Sequence, residues 1–162
     1  MTGREKPIKA HRIGVVSDTH GLVRPGLLEA FSDVELIIHA GDVGGPKVLD
    51  ALRAHAPVIA VRGNMDGGSW ARELPETEVV EIDGTLLYVL HDAGELDLDP
   101  VAAGFRVVIS GHSHRPSQYR KKGVLFLNPG SAGPRRFRLP PAAAILLLQG
   151  ESLGTRLIEL TD

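Results

Sequence analysis

Apolar residues fall in short runs along the chain, parted by glycine, proline and small polar residues. The runs at 13–16, 36–39 and 58–61 are too short for helices and suit buried strands. Between them lie two helical patterns. Pro25 opens a short one around 27–31, and Pro46 sits as a first helical residue with Val48, Leu49 and Leu52 on one face. Strand, helix, strand, helix, strand with short links predicts parallel βαβ units. Past Pro75 the pattern changes. Runs at 77–82 and 85–90 flank Asp83-Gly84, a strong hairpin signal. The run at 106–110 is another buried strand. Two further hairpins are expected, 118–120 with 124–127 and 143–148 with 153–160. The front half is therefore α/β and the back half mostly β. One mixed sheet fits, and so do two sheets packed face to face with helices outside. Residues 1–11 are expected to be a flexible leader, and 12–162 a single domain.

Composition narrows the function classes. The 162 residues are 43% hydrophobic and 23% charged, as in a soluble globular protein. A formal net charge of -2 and an aromatic content of 4% argue against an extended nucleic-acid partner. The absence of cysteine removes disulfides, thiolate zinc sites and cysteine nucleophiles, and fits a cytoplasmic location. The longest apolar block, 142–148, is too short to cross a bilayer, so no membrane partner is expected. A homo-oligomer stays open.

Chemistry concentrates just past the strands. After the first come Asp18 and His20, after the second Asp42, after the third Asn64. His91 follows 85–90, and His112 and His114 follow 106–110. Ligands of open α/β sheets bind outside the carboxyl ends of the strands, so these side chains would share one rim. Oxygen and imidazole donors without thiolates suit borderline divalent ions such as Mn, Fe, Co, Ni or Zn. Seven donors are too many for one tetrahedral ion. They suit two ions sharing a carboxylate, roughly 3.5–4 Å apart.

The ordered stretches SDTHG, HAGD, RGNMD, GHSH and NPGS resemble the calcineurin-like metallophosphoesterase superfamily. Within it they are most similar to the small bacterial and archaeal phosphodiesterase branch. The resemblance spans about residues 13 to 131. It implies a four-layer αββα sandwich of two mixed β-sheets. It implies that Asp18, His20 and His114 hold one metal, that Asn64, His91 and His112 hold a second, and that Asp42 bridges. It further implies a two-metal phosphoesterase, in the first place a phosphodiesterase, in which a metal-bridging hydroxide attacks phosphorus. Mn is the favoured ion, a small phosphate ester the expected substrate, and Asp42, Asn64 and His20 the expected catalytic residues. The retromer subunit of the same architecture supplies the alternative, a metal-binding scaffold for a protein partner.

Two positions depart from the pattern. Many relatives carry a His after Gly-Asn, thought to protonate the leaving group, where this chain has Met65. Cys is frequent there in the small phosphodiesterases. Without that acid, diesters and activated aryl esters are expected to turn over better than alkyl monoesters. Asp92 stands where Gly is common, either orienting a ligating imidazole or lying in solvent. His39, inside an apolar run, is expected to be a buried structural histidine, and His11 and His55 surface residues. Asp66 is expected to be a loop acid or to support a ligand from behind. Arg62 and Arg135 are the candidate substrate-phosphate contacts, through bidentate guanidinium bonds.

Overall fold

The computed structural model describes residues 8–136 and 138–160; residues 1–7 of the expected leader lie outside them. One sheet is built on β1 (Ala10–Val16), β2 (Leu36–His39) and β3 (Val58–Ala60), which run parallel. Two late strands, β9 (Ala142–Gln149) and β10 (Ser152–Glu159), join it antiparallel at the other flank of β1, in the order β10-β9-β1-β2-β3. The second sheet contains β4 (Thr77–Ile82), β5 (Thr85–Leu90), β6 (Phe105–Ile109), β7 (Ser117–Lys121) and β8 (Val124–Asn128), in the order β4-β5-β6-β8-β7. Here β5, β6 and β8 are parallel and the two flanking strands antiparallel. The architecture is the expected pair of mixed sheets.

Burial on both faces explains the uninterrupted apolar runs of the central strands. Ile13, Val15, Ile38 and Leu146 of the first sheet meet Leu87, Val107, Ile109 and Leu127 of the second in the inter-sheet core. On the far side of the first sheet, Val16, Ile37 and Ile145 pack with helices α1 (Pro25–Ala30) and α2 (Pro46–Arg53). Both helices start on proline, whose fixed φ pre-sets the first turn. The outer face of the second sheet is thinner. Tyr88, Phe105 and Val108 are covered by Leu96 and Leu98. Those residues sit in a segment whose regular structure is one 3-10 turn, Ala93–Glu95. That turn and the one-turn helix α3 (Ser69–Arg72) are too short to leave a periodic signal.

One expectation is corrected. β1 begins at Ala10, so residues 10 and 11 of the expected leader are strand, and His11 is buried instead of lying on the surface. Its Nδ1 is 2.9 Å from each Glu35 carboxylate oxygen, and its Nε2 bonds Asp83 in the β4–β5 turn. A polar residue on an inward strand position carries no hydrophobic mark, so counting apolar residues starts the strand late. His55 is exposed, as expected.

Candidate metal centre

The parallel ladder does not stop where the strands do. Asp18 N–H donates to Gly41 O at 3.0 Å, His20 N–H to Asp42 O at 3.0 Å, and Gly21 N–H to Val43 O at 2.9 Å. The loops after β1 and β2 are therefore paired backbone to backbone. In the second sheet, Gly111 N–H donates to His91 O at 2.9 Å. The two sheets touch through their loops at Gly111, where any Cβ would overlap the Ser17 hydroxyl and crowd the Asp18 carboxylate at 2.6 Å.

Asp18 is fully buried. Its Oδ2 accepts from Ser17 Oγ at 2.7 Å and from His112 N–H at 3.0 Å. Its Oδ1 has no hydrogen-bond partner. That oxygen faces His114 Nε2 at 3.3 Å, His20 Nε2 at 3.8 Å and His91 Nε2 at 3.9 Å. A buried carboxylate oxygen without a donor is costly unless a cation answers it. Asp42 repeats the arrangement. Oδ1 accepts from Met65 N–H at 2.8 Å, while Oδ2 lies 3.3 Å from His91 Nε2 and 3.9 Å from His20 Nε2. Two donor groups result, Asp18–His20–His114 and Asp18–Asp42–His91, each with its ligand atoms within 4.8 Å of one another. Asn64 and His112 adjoin the second, with His112 Nδ1 3.2 Å from Asn64 Oδ1 and 3.3 Å from His91 Nε2. All seven sequence-selected donors thus meet at one rim. The donor set fits divalent ions of the borderline class.

Protonation agrees with ligand duty. His91 Nδ1 lies 2.8 Å from Ala40 O. A carbonyl only accepts, so Nδ1 carries a proton, and Nε2 is the ring atom that faces the carboxylates. Burial pulls the His91 pKa down, but the Asp42 hydrogen bond, the Ala40 carbonyl and the Asp18 charge outweigh it, and the pKa is raised. The carboxylates that draw a proton there draw a metal ion to the same atom. Burial lowers the His114 pKa, which leaves that ring neutral. Asp42 is held below the usual carboxylate range: burial opposes ionisation, and the bonds from His91 and Met65 N–H overcome it.

Backbone strain marks the same residues. Asp18, His20, Asp42, His112 and His114 have φ of 56°, 46°, 55°, 70° and 64°. Each left-handed non-glycine residue costs about 1–3 kcal/mol, held by the surrounding structure.

The supporting residues are less legible in the sequence. His39 Nδ1 accepts from Gly41 N–H at 3.1 Å, its Nε2 donates to Thr19 Oγ1 at 3.0 Å, and that hydroxyl donates to Val43 O at 2.7 Å. Burial drops its pKa to about 3, so it is a neutral structural histidine tying the first two loops. Asn128 Nδ2 donates to Gly111 O at 2.9 Å, and Ser131 Oγ to Asp18 O at 3.0 Å, which fixes the loops from behind. Ser17 and Thr19 belong to SDTHG, but small hydroxyl residues at strand ends carry no sign of the bonds they make. Asp92 Oδ1 accepts from Gly94 N–H at 2.9 Å, and its Oδ2 is 3.8 Å from His112 Nε2. Arg62 donates to Glu76 at 3.0 Å and, with Asn64, His91 and His112, lines a cleft of about 920 Å³. Arg135 is exposed and lines a small recess beside His114.

Residues 12–151 match the calcineurin-like phosphoesterase superfamily domain. The chain is similar to a probable metallophosphoesterase of Methanothermobacter thermautotrophicus, 35% identical over 158 residues, covering 90% of this chain and 91% of the relative. It is also similar to a phosphodiesterase of Methanocaldococcus jannaschii, 32% identical over 138 residues, covering 74% and 82%. The structure of Vacuolar Protein Sorting 29 from Cryptosporidium parvum shares the fold, with a TM-score of 0.80 at 21% identity over 94% of this chain and 93% of that one.

Proposed function

The chain belongs to the calcineurin-like phosphoesterase superfamily, and from that premise we propose that it is a two-metal phosphodiesterase acting on small phosphate esters. The observation that carries this reading is the buried, partnerless Asp18 Oδ1, which faces three imidazole Nε2 atoms in a residue common to both ligand groups. The similarity to a phosphodiesterase supports the ester class.

In this reading Asp18, His20 and His114 hold one ion and Asn64, His91 and His112 the other. Asp42 would be shared by both; its Oδ2 faces His91 and His20, while its Oδ1 accepts from Met65 N–H. Two bound cations supply an activated water and neutralise charge on the phosphoryl oxygens. The protein residues set the geometry. The Ala40 carbonyl fixes the His91 tautomer, and the left-handed turns at Asp18, Asp42, His112 and His114 aim the donors inward. Asn64 and His20 lie at the edge where the ester enters. Arg135 contacts phosphate from the His114 side. Arg62, paired with Glu76, contacts phosphate from the cleft side. Mn is the favoured metal, with Fe, Co, Ni and Zn also suited to the donors. A cytoplasmic setting completes the proposal. Among the described residues no helix is long and apolar enough to cross a membrane.

The test is reconstitution. The chain, stripped with chelator, is assayed on bis-aryl and mono-aryl phosphates with Mn, Ni or Zn added singly. Hydrolysis should return with metal. Asp42→Asn should lower kcat/KM by more than about 10³-fold, the scale of several kcal/mol of lost charge stabilisation. One observation favours a second reading, a partner-binding scaffold: Met65 has no proton to donate. Tight metal binding with no turnover of any ester would select it.

A further inference from the structure

Asp66 was expected to be a loop acid or a support behind a ligand, and its contacts are specific. One carboxylate oxygen accepts from Val43 N–H at 3.2 Å and Gly63 N–H at 2.9 Å, and the other from Gly44 N–H at 3.0 Å. Val43 and Gly44 directly follow Asp42, and Gly63 directly precedes Asn64. The clasp is reciprocal: the Asp42 carboxylate takes Met65 N–H, next to Asp66 in the chain. Each of the two loops thus lends a carboxylate to the other's amides. They also touch closely, since a Cβ at Gly63 would overlap the Asp42 carboxylate.

The clasp acts first on Asp42 and Asn64. Asp66 makes no bond of its own to the loops after β1 and β6, and reaches the β1 loop through the pairs of His20 and Gly21 N–H with Asp42 and Val43 O. Asn64 comes from the clasped loop itself, is exposed, and has His112 as its side-chain partner. Hydrogen bonds behind a ligand typically govern its metal affinity by about 10–100-fold.

We infer that Asp66 is a positioning residue for the metal pair: by bonding three backbone amides it sets Asn64 against Asp42, and so tunes the second ion, which takes both residues, more than the first, which shares Asp42 alone. This rests on the two-metal reading above. The geometry also sets a gradation. Asn at this position keeps the shape but presents an N–H₂ to backbone donors, so at least one bond is lost. Ala loses all three.

Metal-free wild type, Asp66→Asn and Asp66→Ala are titrated calorimetrically with Mn(II), and amide exchange is followed at Val43, Gly44 and Gly63. In wild type, two binding steps are expected. In the variants one step should fall by about 10–100-fold, more for Ala than for Asn, and the other by a clearly smaller factor. Exchange at the three amides should speed up. If Asp66→Ala does not fold, Asp66→Asn decides alone. Two unchanged steps overturn the inference. So do two steps that weaken by the same factor with a falling Tm, which would make Asp66 a general structural residue. Wild type that takes up fewer than two ions overturns the two-metal reading, and this inference with it.

Discussion

Met65 shows how one side chain sets the scope of a site without building it. Its N–H donates to Asp42 whatever the side chain is, and the side chain itself is 70% exposed. Substitution there therefore alters proton supply and leaves the Asp42 bond in place. Placing His at this position gives an acid to the leaving group, an effect typically worth ~10²–10⁴-fold. Met65→His should raise kcat on alkyl esters by at least about tenfold and leave aryl diesters nearly unchanged, because nitrophenolate needs no proton. Matched steady-state assays on the two ester types would show it. Equal gains on both, or none on either, would remove proton donation as the reason for the expected substrate preference. His39 is the contrasting case. It resembles a ligand by type and by its place next to Asp42, yet full burial and two local bonds keep it neutral and structural.

At the scale of elements, the two sheets are joined at both ends. At one end the loops past β1, β2 and β6 meet in the donor cluster. At the other, His11 on β1 bonds Glu35 before β2 and Asp83 in the turn between β4 and β5. Those bonds raise the His11 pKa above its ordinary 6.5, led by Glu35 and then Asp83, against burial. A raised folded-state value means the contribution is full below the unfolded pKa and is lost as pH rises through the folded one. The Tm difference between wild type and His11→Gln, both metal-free, should be largest near pH ~5.5 and shrink toward pH ~9. A difference that stays level or grows with pH would refute the clamp. Legibility ends at this scale too. The apolar runs and the turns between them locate ten strands to within a few residues: burial on both faces marks the central ones, whereas the exposed β7 is legible only through the turn at 121–123 that pairs it with β8. The start of β1 is unmarked because His11 is inward and polar.

For the whole molecule, the decisive feature is the cleft that opens beside His91 and His112. Its lining includes Glu76, Asp92, Glu95 and Asp97, with Arg62 as the one Lys or Arg among the described lining residues. Arg62 is already paired with Glu76. The wall beyond the donor cluster is therefore acidic, and like charge within it is repelled. Among aryl diesters that share nitrophenolate as leaving group, one with a trimethylammonium arm should exceed one with a carboxylate arm in kcat/KM by about tenfold or more. The gap should narrow with added salt. Equal rates at low salt would show that the ester's second arm does not enter this cleft.

What the amino-acid order determined by itself is local: which runs are buried strands, where the chain turns, and which donor types follow each strand. Those are properties of a few neighbouring residues, and the motif order was enough to name the family and to pick out the seven side chains that the fold brings to one rim. Only the tertiary structure decided how they combine. His20 and His114 stand 94 positions apart in the chain and 3.5 Å apart in space, because two separate sheets bring their strand ends to one edge. The orphaned Asp18 oxygen, the Asp66 clasp and the His11 clamp follow from that same closure. Each depends on distances across loops that no local pattern records, since hydrophobic periodicity encodes which face is buried and not what stands opposite it.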